Sequence, residues 1–188
     1  MIASITRFAA AALTLTLACM AGAHAADYVQ APGSTLAFAS SYDTETFSGH
    51  FGGLDTKLRF DPEHPETGRL EVAITLAGTT SGNEERDTTL LGENFFNIAK
   101  FGKATYTASK FRALGNNQFA ADGTLNLRGI SKPVTLTFTW TPGTRPVLSG
   151  RATVKRLDFG VGSGEWADTA AIPDAVAIST KVVFEQKK

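Results

Sequence analysis

The chain has 188 residues, with 18 Lys and Arg against 18 Asp and Glu, one cysteine and 43% hydrophobic residues. Balanced charge without a block of like sign excludes the electrostatic footprint of a nucleic-acid binder. A lone cysteine excludes an internal disulfide framework, so burial must hold the fold, which a single domain of this size can achieve.

The first element along the chain is a leader. Arg7 supplies a positive start, Phe8 to Leu17 is an apolar run too short to span a bilayer, and Ala23-His24-Ala25 offers a small-x-small cleavage pattern. Residues 1–25 read as a cleaved secretory signal peptide, and 26–188 as the mature domain, destined for a periplasm. The competing reading makes Cys19 the acylated residue of a lipoprotein, but Thr16-Leu17-Ala18 fits the leucine-led lipobox poorly. Cleavage removes Cys19, Met1 and Met20 and leaves 163 residues, with 17 Lys and Arg against 18 acids. The mature chain then has no thiol to act as nucleophile or metal ligand. It also has no stretch long and apolar enough for stable membrane insertion as a helix.

From there the dominant period is two. Strands are expected at 35–42 and 46–61, the second carrying Leu54, Leu58 and Phe60. Turn-formers Pro62, Pro65 and Gly68 lead to a strand at 69–78, where Leu70, Val72, Ile74 and Leu76 alternate with Glu71, Ala73 and Thr75. The period then breaks. Ser81 as N-cap with Glu84 three residues on reads as a capping box, opening a short helix over 83–91 that stops at Gly92. Asn94-Phe95-Phe96-Asn97-Ile98 follows, an aromatic knot where a loop should be polar. It reads either as a plug that docks the helix on the rest of the fold or as the entrance to an interior space.

Strands resume at 104–114, 118–128, 133–141, 147–158 and 175–186. Turns fall at Gly115-Asn116-Asn117, at Gly129 with Pro133, and at Pro142-Gly143. Val134 to Thr141 alternates without a fault. One dry and one wet face per strand belongs to antiparallel sheets. The fold class is therefore all-β, a single domain of eight antiparallel strands with one short helix. A sandwich and a closed barrel both accommodate this; closure removes exposed edges and favours the barrel.

An eight-stranded barrel is either filled by its side chains or holds one small ligand. The mature chain's 12 phenylalanines suit both outcomes. The inward rows predict a wall of Phe38, Leu58, Phe60, Val72, Ile74, Leu125, Leu127, Leu136, Phe138, Trp140, Ile178 and Val182, with Phe95 and Phe96 at the entrance. The same residues equally describe an ordinary packed core.

Four motifs in order carry a resemblance over essentially the whole mature chain. They are Phe47-Ser-Gly-His-Phe51 leading into Leu58-Arg-Phe-Asp-Pro62; Glu85-Arg86-Asp87-x-x-Leu90 followed by Asn94-Phe95-Phe96; Gly123-Thr-Leu-Asn-Leu-Arg-Gly-Ile-Ser-Lys-Pro-Val134; and Arg156-x-Asp-Phe-Gly160. Together they resemble the YceI-like family of exported lipid- and polyisoprenoid-binding proteins. Gly162-Ser-Gly-Glu-Trp-Ala-Asp168 is similar to one branch, whose members also occur fused to cytochrome b561-type membrane domains. The resemblance implies a lipocalin-like antiparallel barrel with a long apolar tunnel. Its ligand would be a polyisoprenoid, a ubiquinone-like lipid or another fatty amphiphile, with no other cofactor. It also implies a homodimer, and the fused branch points to a membrane partner of the cytochrome b561 type. Near the start many relatives carry an Asp and a His, where this chain has Ala31-Pro32-Gly33-Ser34 and Ser40-Ser41-Tyr42.

A polar head group at a mouth would want cations, for which Arg86, Arg128, Lys132 and Arg156 are the candidates. Catalysis finds little support. The mature chain has only His50 and His64, 14 residues apart, and no Gly-x-Ser-x-Gly. Asp158-Phe159-Gly160 lacks every other kinase motif, and Gly160, Gly162 and Gly164 lack dinucleotide-site spacing. Glu165 and Asp168 form a carboxylate pair only on a glycine-rich loop, which reads as a rim. No catalytic or metal-binding residue is assigned.

Overall fold

A computed structural model describes residues 25–187; the expected leader, apart from Ala25, lies outside them, as does Cys19. The strands are β1 (Ala26–Tyr42), β2 (Glu45–His50), β3 (Gly53–Phe60), β4 (Arg69–Thr75), β5 (Lys103–Gly115), β6 (Gln118–Leu127), β7 (Ile130–Thr141), β8 (Val147–Lys155) and β9 (Ala175–Gln186). All pairings are antiparallel, each strand beside its sequence neighbour from β3 to β9, and β1 closes the ring against β9.

Nine stretches make eight strands because β2 and β3 are one strand with a kink. Both pair along β1, β2 through Ala37 opposite His50 and β3 through Val29 opposite Lys57. The break falls at Gly52, where a β carbon would come 1.7 Å from the Ala77 carbonyl oxygen. His50 at the kink instead bonds through its backbone to Thr80, N–H to O at 2.8 Å and reciprocally at 3.0 Å. The barrel expected from alternation is thus the barrel found.

Several boundaries differ from expectation, each for a local reason. β1 begins at Ala26 rather than 35. Pro32-Gly33-Ser34 looks like a strand breaker but forms a bulge, with a register shift between Ala31 and Thr35. Gly33 takes φ +95° there, and Ser34 Oγ accepts from the Val183 N–H at 3.0 Å. The hydroxyl keeps satisfied a ladder donor that the bulge would have orphaned. β7 begins at Ile130 rather than 133, because Arg128 (φ 54°) and Gly129 (φ 75°) make a two-residue hairpin turn. β4 ends at Thr75 and β8 at Lys155, earlier than expected, and Arg156–Phe159 turns into a 3-10 helix.

The helix α1 (Glu84–Leu91) is capped by Asn83, whose side chain accepts from the Arg86 N–H at 2.9 Å. Ser81, expected as N-cap, serves Asp87 instead. Its N–H and hydroxyl both lie 2.6 Å from Asp87 Oδ1. Those bonds hold the Asp87 carboxyl below the usual range despite the opposing effect of desolvation.

The two ends of the barrel are built differently. At the end of the β5–β6 and β7–β8 turns the interior is packed shut by rings. Phe60 meets Phe111, Phe119, Phe138 and Trp140 at centroid distances of 5.0–5.8 Å. Tyr28 meets Trp140 edge-on at 5.3 Å, and Phe184 packs on it at a tilt at 6.0 Å. Aromatic edge-to-face contacts of this kind add to the burial of large apolar area.

Candidate ligand cavity

The other half of the barrel is hollow. Inward-facing Leu54, Val72, Ile74, Val134, Leu136, Val154, Val176 and Ile178 are only partly buried although they point away from bulk solvent. The space they face is about 180 Å³. β3 shows the transition in one strand: Leu54 and Thr56 line the cavity, whereas Leu58 and Phe60 are fully packed in the plug.

Of the residues read from the sequence as wall, Phe38, Val72, Ile74, Phe95, Phe96, Leu125, Leu127, Leu136, Ile178 and Val182 line this space. Leu58, Phe60, Phe138 and Trp140 do not; they belong to the plug. Alternation gives the face of a residue but not its height along the barrel, so it cannot separate wall from plug. Sequence reasoning left out Leu36, Phe47, Phe51, Leu70, Leu90, Tyr106, Leu148, Ala152, Val154 and Thr180, which also line the cavity. Most lie on the same alternating rows and were legible there. Leu90 was not, because its position over the cavity depends on where α1 docks.

The mouth is closed by two segments. The knot contributes Phe95 and Phe96, and the β8–β9 loop contributes Val161 and Ile172. Gly162 N–H donates to the Asn94 carbonyl at 2.7 Å, tying one to the other. Trp166 packs on Phe95 at 5.6 Å and on Tyr42 at 6.5 Å, and the Asp43 N–H donates to the Ala171 carbonyl at 2.8 Å. The loop therefore bridges the knot and the β1–β2 turn.

The four cations proposed for a head group have separate fates. Arg86 sits outside, 4.3 Å over the Phe47 ring, with Nε donating to Ser81 Oγ and a loose ion pair to Glu45. Arg128 donates to the Phe95 carbonyl and so pins the β6–β7 hairpin to the knot. Lys132 is exposed on β7. Arg156 alone lines the cavity, 4% exposed. It donates to the carbonyls of Val161 (3.0 Å), Gly162 (2.7 Å), Ile172 (2.9 Å) and Pro173 (3.2 Å). Burial pushes its pKa below the usual arginine value, against the pull of Asp174. Its guanidinium fork is a fastener for the loop.

The groups weighed for catalysis lie elsewhere. His50, His64, Glu165 and Asp168 are exposed, and Asp168 Oδ1 accepts from the Ala170 N–H as an ordinary turn residue. Among the described residues no three His, Cys, Asp or Glu side chains come together as a metal site. The polar groups in the wall are few: Ser40, Thr56, Tyr106, Thr180 and Arg156.

A closed eight-stranded barrel, half plugged and half hollow, with a two-part cover, narrows the comparison with known proteins. The profile of the YceI-like domain matches residues 28–184. The chain belongs to the YceI-like family. Among its curated relatives, a UPF0312 protein of Ectopseudomonas mendocina is 30% identical over 165 residues, covering 81% of this chain and 86% of that one. A UPF0312 protein of Shewanella oneidensis is 29% identical over 121 residues, an alignment spanning 63% of that protein's length. Among solved structures, BcnA of Burkholderia cenocepacia superposes with a TM-score of 0.76 at 26% identity, over 80% of this chain and 95% of that one. A polyisoprenoid-binding domain from Saccharophagus degradans, at 18% identity, shares the YceI-like fold with a TM-score of 0.67, over 87% of this chain and all of that one.

Proposed function

We propose that this YceI-like protein is an exported, non-catalytic carrier. It holds a polyisoprenoid, a quinone-like lipid or another long-chain amphiphile in the hollow half of its barrel. The observation that carries the proposal is the contrast within the barrel: aromatic and aliphatic side chains from all round the barrel face a space that the protein's own rings leave unfilled. Apolar space of this kind stays dry and accepts apolar guests. Each CH₂ moved into it contributes about 0.8 kcal/mol, offset in part by the lost freedom of the tail.

The reading draws support from two further points. The Saccharophagus domain of the same fold is described as polyisoprenoid-binding. The side chains that sequence motifs offered for chemistry, Glu165 and Asp168 among them, face solvent rather than the cavity. Export rests on the leader pattern of residues 1–25; among the described residues no helix is long and apolar enough to cross a membrane.

The test is direct. Protein purified from its native host is extracted with organic solvent, the extract is analysed by mass spectrometry, and delipidated protein is offered long-chain lipids. Recovery of one lipid class in near-stoichiometric amount is expected. An empty extract together with no uptake would defeat the carrier reading.

A further inference from the structure

Two hydroxyls in the cavity wall have no hydrogen-bond partner, Ser40 Oγ and Thr56 Oγ1, and Thr56 is the more buried of the two. Thr56 is 1% exposed and lines the cavity, yet its Oγ1 has no hydrogen-bond partner. The neighbouring inward positions on β4 are Val72, its ladder partner, and Ile74. Valine would fill the same space as threonine without orphaning a hydroxyl. A buried hydroxyl without a partner destabilises the free protein, so its presence calls for a partner from outside.

A further orphan lies on the neighbouring strand. Gln30 follows Val29, the last β1 residue in the ladder with β3. Its Nε2 donates to the Leu54 carbonyl at 2.8 Å, while its Oε1 is buried and unpartnered. Gln30 is not among the residues lining the cavity, so Thr56 Oγ1, able to donate and accept, is the group presented where the cavity abuts the plug, since Leu58 two residues on is already packed.

The charge inventory limits what the partner can be. Arg156 is the only cation lining the cavity among the described residues, and four of its N–H bonds are committed to loop carbonyls. Nothing at the depth of Thr56 would neutralise a phosphate or carboxylate, and burying an unpaired charge there is prohibitive.

We infer that Thr56 anchors the uncharged polar end of a long-chain amphiphile that enters head first. A terminal hydroxyl, carbonyl or primary amide fits its hydroxyl; the tail then runs along Val72, Ile74 and Leu136 towards the cover. This rests on the carrier reading and narrows it to a ligand class and an orientation.

Three probes of equal tail length separate the possibilities: 1-hexadecanol, hexadecane and hexadecyl phosphate, delivered from cyclodextrin to the delipidated protein and followed by calorimetric titration. Hexadecanol should bind several-fold, up to about tenfold, tighter than either of the others, the factor expected of one well-made buried hydrogen bond. Thr56→Val should erase that advantage and leave hexadecane binding unchanged, whereas Thr56→Ser should restore it. Thermal melts of both variants check that they fold. Equal affinity for alcohol and alkane, tighter binding of the phosphate, or a Thr56→Val loss shared by alcohol and alkane would each overturn the anchor and leave the carrier reading standing. Failure of all three probes to bind overturns both.

Discussion

Gly123 on β6 lies against the Tyr106 ring of β5, so closely that a β carbon at 123 would come 2.6 Å from Tyr106 Oη and 2.5 Å from the Thr107 carbonyl oxygen. The absent side chain lets the tyrosine lean across the neighbouring strands. Its hydroxyl reaches the carbonyls of Ala121 at 2.8 Å and Val134 at 3.1 Å, while its ring lines the cavity. The glycine that opens Gly123-Thr-Leu-Asn-Leu-Arg thus serves a residue seventeen positions earlier. Gly123→Ala should cost about 1–3 kcal/mol, as overpacking does. Chemical denaturation measures it, and Tyr106→Leu in the same chain should recover part of the loss because the two changes share one space. Independent, additive losses would show that the contact does not limit position 123.

The same burial sets a signature in alkali. Desolvation is the main reason that the Tyr106 phenol is pushed up to about 12. An acid whose pKa is raised on folding keeps its proton longer in the native state. Native protein then holds more protons than unfolded protein between about pH 10 and 12. Stability should fall as pH rises through that window, and Tyr106→Phe should flatten the fall. Burial raises Tyr28 as well, so phenolate absorbance at 295 nm should show ionisation extending above the usual tyrosine range, with Tyr106→Phe removing the latest step. Three tyrosines ionising together near pH 10 would contradict the assignment.

Arg156 makes a different prediction, because its partners are backbone rather than carboxylate. The guanidinium stays charged at any working pH. Removing it leaves four carbonyls of the cover without a donor in a place shielded from water. Arg156→Met should therefore cost about 3 kcal/mol or more. Arg156→Lys should restore only a fraction, since one ammonium cannot span carbonyls fixed for a planar fork. Hydrogen exchange should accelerate across residues 156–174 before the barrel strands respond. Gly162→Ala is expected to act in the same direction, its β carbon falling 2.5 Å from Arg156 Nη1 at φ +67°. If the loop amides exchange no faster in Arg156→Met, the arginine does not hold the cover.

Much of this architecture was legible because β alternation is a local signal. Val134 to Trp140 and Leu70 to Ile74 declare their faces through their neighbours alone, and the barrel follows from eight such runs. What failed was anything set by distant partners. Pro32-Gly33-Ser34 reads as a break until Ser34 is seen accepting from Val183, 149 residues away. Arg156 reads as a head-group cation near the end of a strand until the loop folds back to present four carbonyls. Phe60 and Phe138 carry the same alternation as Val72 and Leu136, and only the closed ring shows that the first pair fills the barrel while the second borders its empty half.

That last distinction gives the sharpest test of the hollow half. Phe119 in the plug stacks on Phe138 at 5.5 Å and meets Phe60 at 5.0 Å, so Phe119→Ala should leave a void and cost about 3–5 kcal/mol. Val72 faces open space, so Val72→Phe adds volume where nothing need move. In a filled core that change would cost about 1–3 kcal/mol. Here the denaturation midpoint should hold or rise, because a void next to apolar walls is itself destabilising. Uptake of a long-chain alcohol should fall at least about tenfold, since the new ring lies along the tail's course. A Val72→Phe protein that loses stability as an overpacked core does would mean that the interior is already full.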